Sequence, residues 1–328
     1  MPVTLHHSDF MTTVNAPMTD ILQEKRFQKP DGFKFGYFTA ADGVRLRYGV
    51  VKPEVMCRGH IVLLHGFSEF IEKYFETIRD FAAQGYAVYS FDWGGQGRSD
   101  RYFDDKPERA YNKGFDHDVH HLRSFMHRIV GDAGPKYIVA HSMGGHMALR
   151  YLKENPGVVK AAALSAPMIA FKMPLPRWLA RTVLKILHVL KLDKIEAVHG
   201  EGWVVKAPAI ENDPRSRDPV RRLVHYQWCK HDPSLRLGNI SFGWVYRALR
   251  SVVKMSKPGY LESIKTPVLL AVAEQDEIVD RDAIRRAGDR LPHGDLIPLD
   301  GYHELFMERD EIRGPFLKRI FDFFDKER

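Results

Sequence analysis

Apolar positions follow two alternating rhythms along most of this chain: short unbroken runs, and longer stretches in which an apolar side chain returns every third or fourth residue. The first rhythm predicts buried strands and the second predicts helices with one apolar face. Gly36–Thr39 and Val44–Val51 read as strands around a turn at Ala41–Gly43. A buried run at Ile61–His65 follows, then a helix over Ile71–Gln84 that Gly85 ends. Strands at Tyr86–Phe91, Tyr137–His141 and Val158–Leu164 then alternate with helices over Phe115–Val130 and Ser142–Glu154. This alternation predicts an α/β fold, with a mostly parallel sheet covered on both faces.

The rhythm stops after Pro167. From Met168 to Tyr260 the chain is rich in Trp, Arg and Pro, with helical patterns and no convincing buried strand. It resumes with a strand at Pro267–Ala273, a helix near Asp280–Leu291, a strand at Asp295–Leu299 and a closing helix from Glu311. The economical organisation is one core, residues 33–167 and 261–328, split by a helical cap at 168–260 and preceded by an aperiodic segment, 1–32.

Composition narrows the partners. The net charge of +7 suits an anionic ligand or surface. No helix-turn-helix, zinc-finger or basic–aromatic pattern accompanies it, so nucleic acid is not expected and most of the excess is read as solvated surface. Only two cysteines are present, far apart at Cys57 and Cys229, which predicts no disulfide framework and a reducing compartment. No apolar run approaches the roughly 20 residues of a spanning helix, and the N-terminus lacks a secretory pattern. A cytoplasmic protein is expected, with peripheral contact at the inner membrane as the one membrane role. No histidine or cysteine grouping has metal-ligand spacing, His120-His121 included, and no cofactor or metal is expected.

The chemistry concentrates at Ala140-His141-Ser142-Met143-Gly144-Gly145, between a predicted strand and a predicted helix. This is the context of a nucleophile elbow, G-x-S-x-G, with Ala140 in the place of the first glycine. Small residues are required there because the serine occupies a tight, strained turn. A serine hydroxyl needs a base to take its proton and an acid to orient that base, in the chain order Ser, acid, His. Asp276 and His303 follow two consecutive predicted strands and are the candidates. Asp280 and Glu274 are rival acids, and His293 and His141 are rival bases. Charge on the substrate carbonyl oxygen needs donors fixed in advance, for which the backbone N–H groups of Phe67 and Met143 are the candidates. The glycine-rich stretch Asp92–Ser99 lacks the Lys-Ser/Thr ending of a phosphate loop and is read as a turn beside the site.

These segments resemble bacterial lysophospholipases and the related monoacylglycerol lipases of the α/β-hydrolase superfamily. The resemblance is carried by His65-Gly66-Phe67-Ser68-Glu69 with Tyr74, by Phe91–Asp100, by the elbow, by Gln275-Asp276 and by Gly301-Tyr302-His303-Glu304. It implies Ser142 as nucleophile, Asp276 as acid, His303 as base, Phe67 and Met143 as oxyanion donors, and a single-acyl lipid ester as substrate. Ala140 and Gly95 depart from the family pattern, and neither removes a reacting atom.

Within the cap, Arg177, Arg181, Lys185, His188 and Lys191 recur on one helical face, with Trp178, Leu179, Val183, Leu184, Ile186, Leu187 and Leu190 around the rest. A helix packing its apolar side on the core is the expected arrangement, and an interfacial helix on an anionic bilayer is the alternative. Trp178, Arg181 and Lys185 are the candidate substrate-pocket residues of the cap. Thioesterase or carbon–carbon hydrolase chemistry would suit the same three catalytic residues, and a non-enzymatic receptor on this scaffold is the reading from another class.

Overall fold

The computed structural model describes residues 20–53, 56–172, 176–197 and 213–328. Eight strands form one sheet: β1 (Lys34–Thr39), β2 (Arg45–Val51), β3 (Gly59–Leu64), β4 (Tyr86–Phe91), β5 (Lys136–His141), β6 (Ala161–Ser165), β7 (Val268–Ala273) and β8 (Gly294–Leu299). Their spatial order is β1-β2-β4-β3-β5-β6-β7-β8, with β1 and β2 antiparallel and every pair from β4 to β8 parallel. Strands β4 to β7 bury every residue, which is why they read as continuous apolar runs rather than alternating ones.

Helices cover both faces. One side holds α1 (Phe75–Ala83) and the final helix, α8 (Asp310–Lys326), whose Ile78, Phe81, Phe316, Ile320 and Phe324 share a core with the sheet. The other side holds α2 (Phe115–Phe125), α3 (Met143–Glu154) and α7 (Arg281–Arg290). Two expectations shift. The helix predicted over Phe115–Val130 loosens into a π turn at Met126–Val130, and the strand predicted at Val158–Leu164 runs from Ala161 to Ser165, because Val158 is exposed and Gly157 has a positive φ.

Between β6 and β7 the described residues form α4 (Arg177–Val189), α5 (Arg221–His231) and α6 (Phe242–Ser256), and none of them joins the sheet. The expected burial of the apolar side of α4 is limited. Ala180 and Leu184 pack on Tyr246 and Leu249 of α6, while Trp178, Ile186, Val189 and Leu190 are exposed. The last part of the N-terminal segment is ordered by α5, as Ile21, Leu22 and Phe27 cluster around Val224. The rest of that segment lies outside the described residues.

Candidate active site

Strand β3 has β4 on one side and β5 on the other, so the chain changes direction of progress across the sheet at β3. Parallel α/β sheets open a crevice at such a point, at the carboxyl ends of the strands. Ser142 follows β5 and Phe67 follows β3, and Asp276 and His303 follow β7 and β8.

Ser142 has φ 48° and ψ −114°, a strained conformation for a residue with a side chain, and it caps the start of α3. The turn is held because the Ser142 N–H donates to the Ser165 carbonyl and the Ser142 carbonyl accepts from Met168, each at 3.0 Å. Gly144 explains the small-residue rule: a Cβ there would press into the Leu64 carbonyl and lie 2.7 Å from that of His65. Ala140, in place of the motif's first glycine, is fully buried within β5.

The Ser142 Oγ lies 3.0 Å from His303 Nε2, and His303 Nδ1 lies 2.6 Å from Asp276 Oδ2. All three side chains are buried. The second Asp276 oxygen accepts the N–H groups of Ile278 (2.7 Å) and Val279 (3.1 Å). Burial works to raise the Asp276 pKa, but the His303 hydrogen bond and charge, with the two backbone donors, hold it below the ordinary value. The rivals have other partners. Asp280 caps α7 by accepting from Ala283, Glu274 pairs with Arg285 at 2.6 Å, and the His293 carbonyl accepts from Val268. His141 is buried against the His303 ring, and burial pushes its pKa down to about 4, leaving it neutral.

The Phe67 loop is braced by residues to which the sequence assigned no role. Glu69 accepts from the Gly66 N–H at 2.5 Å, and Gln96 accepts from the Ser68 N–H at 2.7 Å, so the segment on either side of Phe67 is fixed. Among the described residues no acceptor is recorded for the N–H of Phe67 or of Met143. Trp244 packs on the Phe67 ring with centroids 4.4 Å apart. Glu69 also accepts from Tyr74 and binds Lys73, which reaches Glu304 beside His303 at 2.7 Å. Burial opposes ionisation of Glu69 and Glu304, yet Lys73 keeps both carboxyls below their ordinary range, and they in turn raise Lys73. The glycine-rich stretch is a turn built around Asp92, whose carboxylate accepts from the N–H groups of Ile71 and Arg98.

Trp178, Arg181 and Lys185 are not brought to Ser142. They line a groove of about 620 Å³ on the outer side of α4, which shares no residue with the Ser142–His303–Asp276 chain.

A serine at an elbow, hydrogen-bonded to a histidine that is itself bonded to a carboxylate, is an arrangement for acyl transfer. The family described as "Serine aminopeptidase, S33" matches residues 56–310. The chain belongs to this family. As an S33 α/β-hydrolase it is 30% identical to Lysophospholipase L2 of Escherichia coli strain K12, over 88% of this chain and 86% of that protein. It is 26% identical to a monoacylglycerol lipase of Mycolicibacterium smegmatis, over 84% of this chain and 91% of the relative. The fold is similar to that of a soluble variant of Saccharomyces cerevisiae monoglyceride lipase, with a TM-score of 0.69 at 18% identity, covering 92% of this chain and 98% of that one.

Proposed function

We propose that this serine hydrolase releases the fatty acid of single-acyl lipid esters, lysophospholipids first, through an acyl-Ser142 intermediate. The hydrogen-bonded order Ser142–His303–Asp276 at the strained elbow carries the reading, and the names of the relatives above favour the lipid. His303 Nε2 takes the Ser142 proton as Oγ attacks the acyl carbonyl. The N–H groups of Phe67 and Met143 hold the oxyanion. The C–O bond to the glycerol moiety then breaks, and His303 returns the proton to the leaving alcohol. Water, deprotonated by the same nitrogen, attacks the acyl-enzyme and frees the fatty acid and Ser142. Asp276 holds the imidazole tautomer and stabilises its cation.

An aminopeptidase would need a free carboxylate for its substrate's ammonium. Glu69 and Glu304, buried beside this site, are both bound to Lys73, so neither is free for that role.

Among the described residues no helix is long and apolar enough to cross a membrane. The outer face of α4 exposes Trp178 at 71% and Val189 at 69%, with Ile186 and Leu190, beside Arg181 and Lys185. An apolar surface bordered by cations suits peripheral attachment to an anionic leaflet.

Hydrolysis of lysophosphatidylethanolamine, monoolein and a short soluble ester, compared side by side, tests the reading. The lysophospholipid is expected to give the highest kcat/KM, and Ser142→Ala is expected to keep the fold and abolish turnover on all three. Preference for monoolein would discard the phospholipid assignment, and activity in Ser142→Ala would discard the nucleophile.

A further inference from the structure

Around Phe115, whose ring meets Trp244, α2, α4 and α6 border an open cleft of about 630 Å³ whose lining includes none of Ser142, Asp276, His303, Phe67 and Met143. Seven of its lining side chains are lysine or arginine, and only one, Asp116, is a carboxylate. Like charges repel when gathered in one concavity, so such a set needs compensation or an anionic occupant. The compensation is partial. Arg150 and Lys254 share Asp116, Arg150 also meets Glu154 at 3.7 Å, and Arg247 is held by Asp193 at 2.9 Å. Among the described residues Lys113, Arg181, Arg250 and Lys257 have no carboxylate within 4.0 Å.

Two further features bear on the charge of the cleft. Gly114 supplies no side-chain cap to α2, whose first turn lies along the cleft and sets the positive end of the helix dipole against the carboxylates of Asp116 and Asp118. Arg150, only 1% exposed, keeps its Nε buried without an acceptor.

We infer that this cleft binds a phosphate group carried on an ester, at a site separate from the Ser142 centre. A phosphate has several acceptor oxygens and up to two negative charges, which matches a cluster of guanidinium and ammonium donors better than a single carboxylate does. Two sources share that chemistry: the headgroup of a membrane phospholipid and a soluble phosphoester. Arg181 belongs both to the cleft and to the apolar groove on α4, so a lipid could place its phosphate in one and its chain along the other. The site is also joined to the catalytic half. Ser251, on its wall, hydrogen-bonds His146 at 2.7 Å, one helical turn after Ser142.

The inference does not depend on the esterase reading, because its test measures binding alone. Titrating the full chain with glycerol 3-phosphate at fixed ionic strength, by calorimetry, is expected to give saturable one-to-one binding. Arg250→Glu with Lys257→Glu is expected to weaken it by about tenfold or more, and the Gln pair by less. Lys34→Glu with Lys160→Glu, the same charge change on exposed residues outside the cleft, is expected to leave it unchanged. Thermal melting of each variant establishes that it is folded. If glycerol 3-phosphate does not bind but vesicles containing phosphatidic acid do, with the same dependence on Arg250 and Lys257, the phosphate is a lipid's. Absence of both interactions overturns the site. So does equal loss in the two Glu pairs, or equal binding to vesicles given the same charge by oleate.

Discussion

Gly144, Asp276 and Asp118 each carry a consequence that can be tested at the residue scale. Gly144 lets α3 begin against the carbonyls that end β3, so Gly144→Ala forces the elbow away from them. A melting temperature several degrees lower, with loss of esterase turnover, is the expected outcome. Asp276→Asn keeps the volume but removes the charge that fixes the His303 tautomer. It is expected to lower kcat by about 10³–10⁴ with little change in KM, read by steady-state kinetics on a soluble ester. Asp118 lies outside the reaction. Burial pushes its pKa up to about 7, only partly offset by the Asn112 N–H that it accepts at 3.0 Å. The folded state therefore holds a proton there that the unfolded chain, titrating near about 3.9, has released. Its contribution is present at low pH and is lost as pH rises between about 4 and about 7. Asp118→Asn is expected to match the wild type in urea unfolding at pH 4 and to exceed it at pH 8, by on the order of a few kcal/mol.

At the scale of elements, Arg47 is the clasp between β2 and the turn after β4. Its guanidinium binds both oxygens of Glu72 at 2.6 Å and donates through Nε to Asp92 at 2.8 Å, with all three groups buried. Arg47→Met would leave two buried carboxylates without their cation. A loss of about 3–5 kcal/mol in urea unfolding is expected, because a stranded buried charge costs more than the pair contributed. Helix α4 shows the opposite economy, holding to α6 through Ala180 and Leu184 while its other apolar residues face water. If that face meets a bilayer, Val189→Asp with Leu190→Asp should abolish sedimentation with anionic vesicles that the unaltered chain binds.

At the scale of the whole molecule, the parallel sheet and the elbow were legible because both leave local marks: apolar runs at strand length, and small residues around a serine between a strand and a helix. His303 and Asp276 were legible through the order of the strands that precede them and through the resemblance of the segments around them. The brace on the Phe67 loop left one local mark, the i,i+4 spacing of Glu69 and Lys73, while Gln96 and Glu304 are joined to it only by folding. Helix α4 misled for a related reason: periodicity gives the width of an apolar face but not how much of it another helix will cover. The distance along the chain between the reacting groups has a further consequence. Ser142 and His303 are 161 residues apart, and the Lys73–Glu304 pair spans most of the sequence. A ribosome adding about 5–20 residues per second thus exposes the nucleophile many seconds before its base exists. If Ser142 and His303 react as proposed, the emerging chain carries a hydroxyl without its partner until the segment after β8 has been made. On the proposed triad, a chain ending before His303 lacks the base and is expected to hydrolyse no ester, which a turnover assay of such a truncation checks.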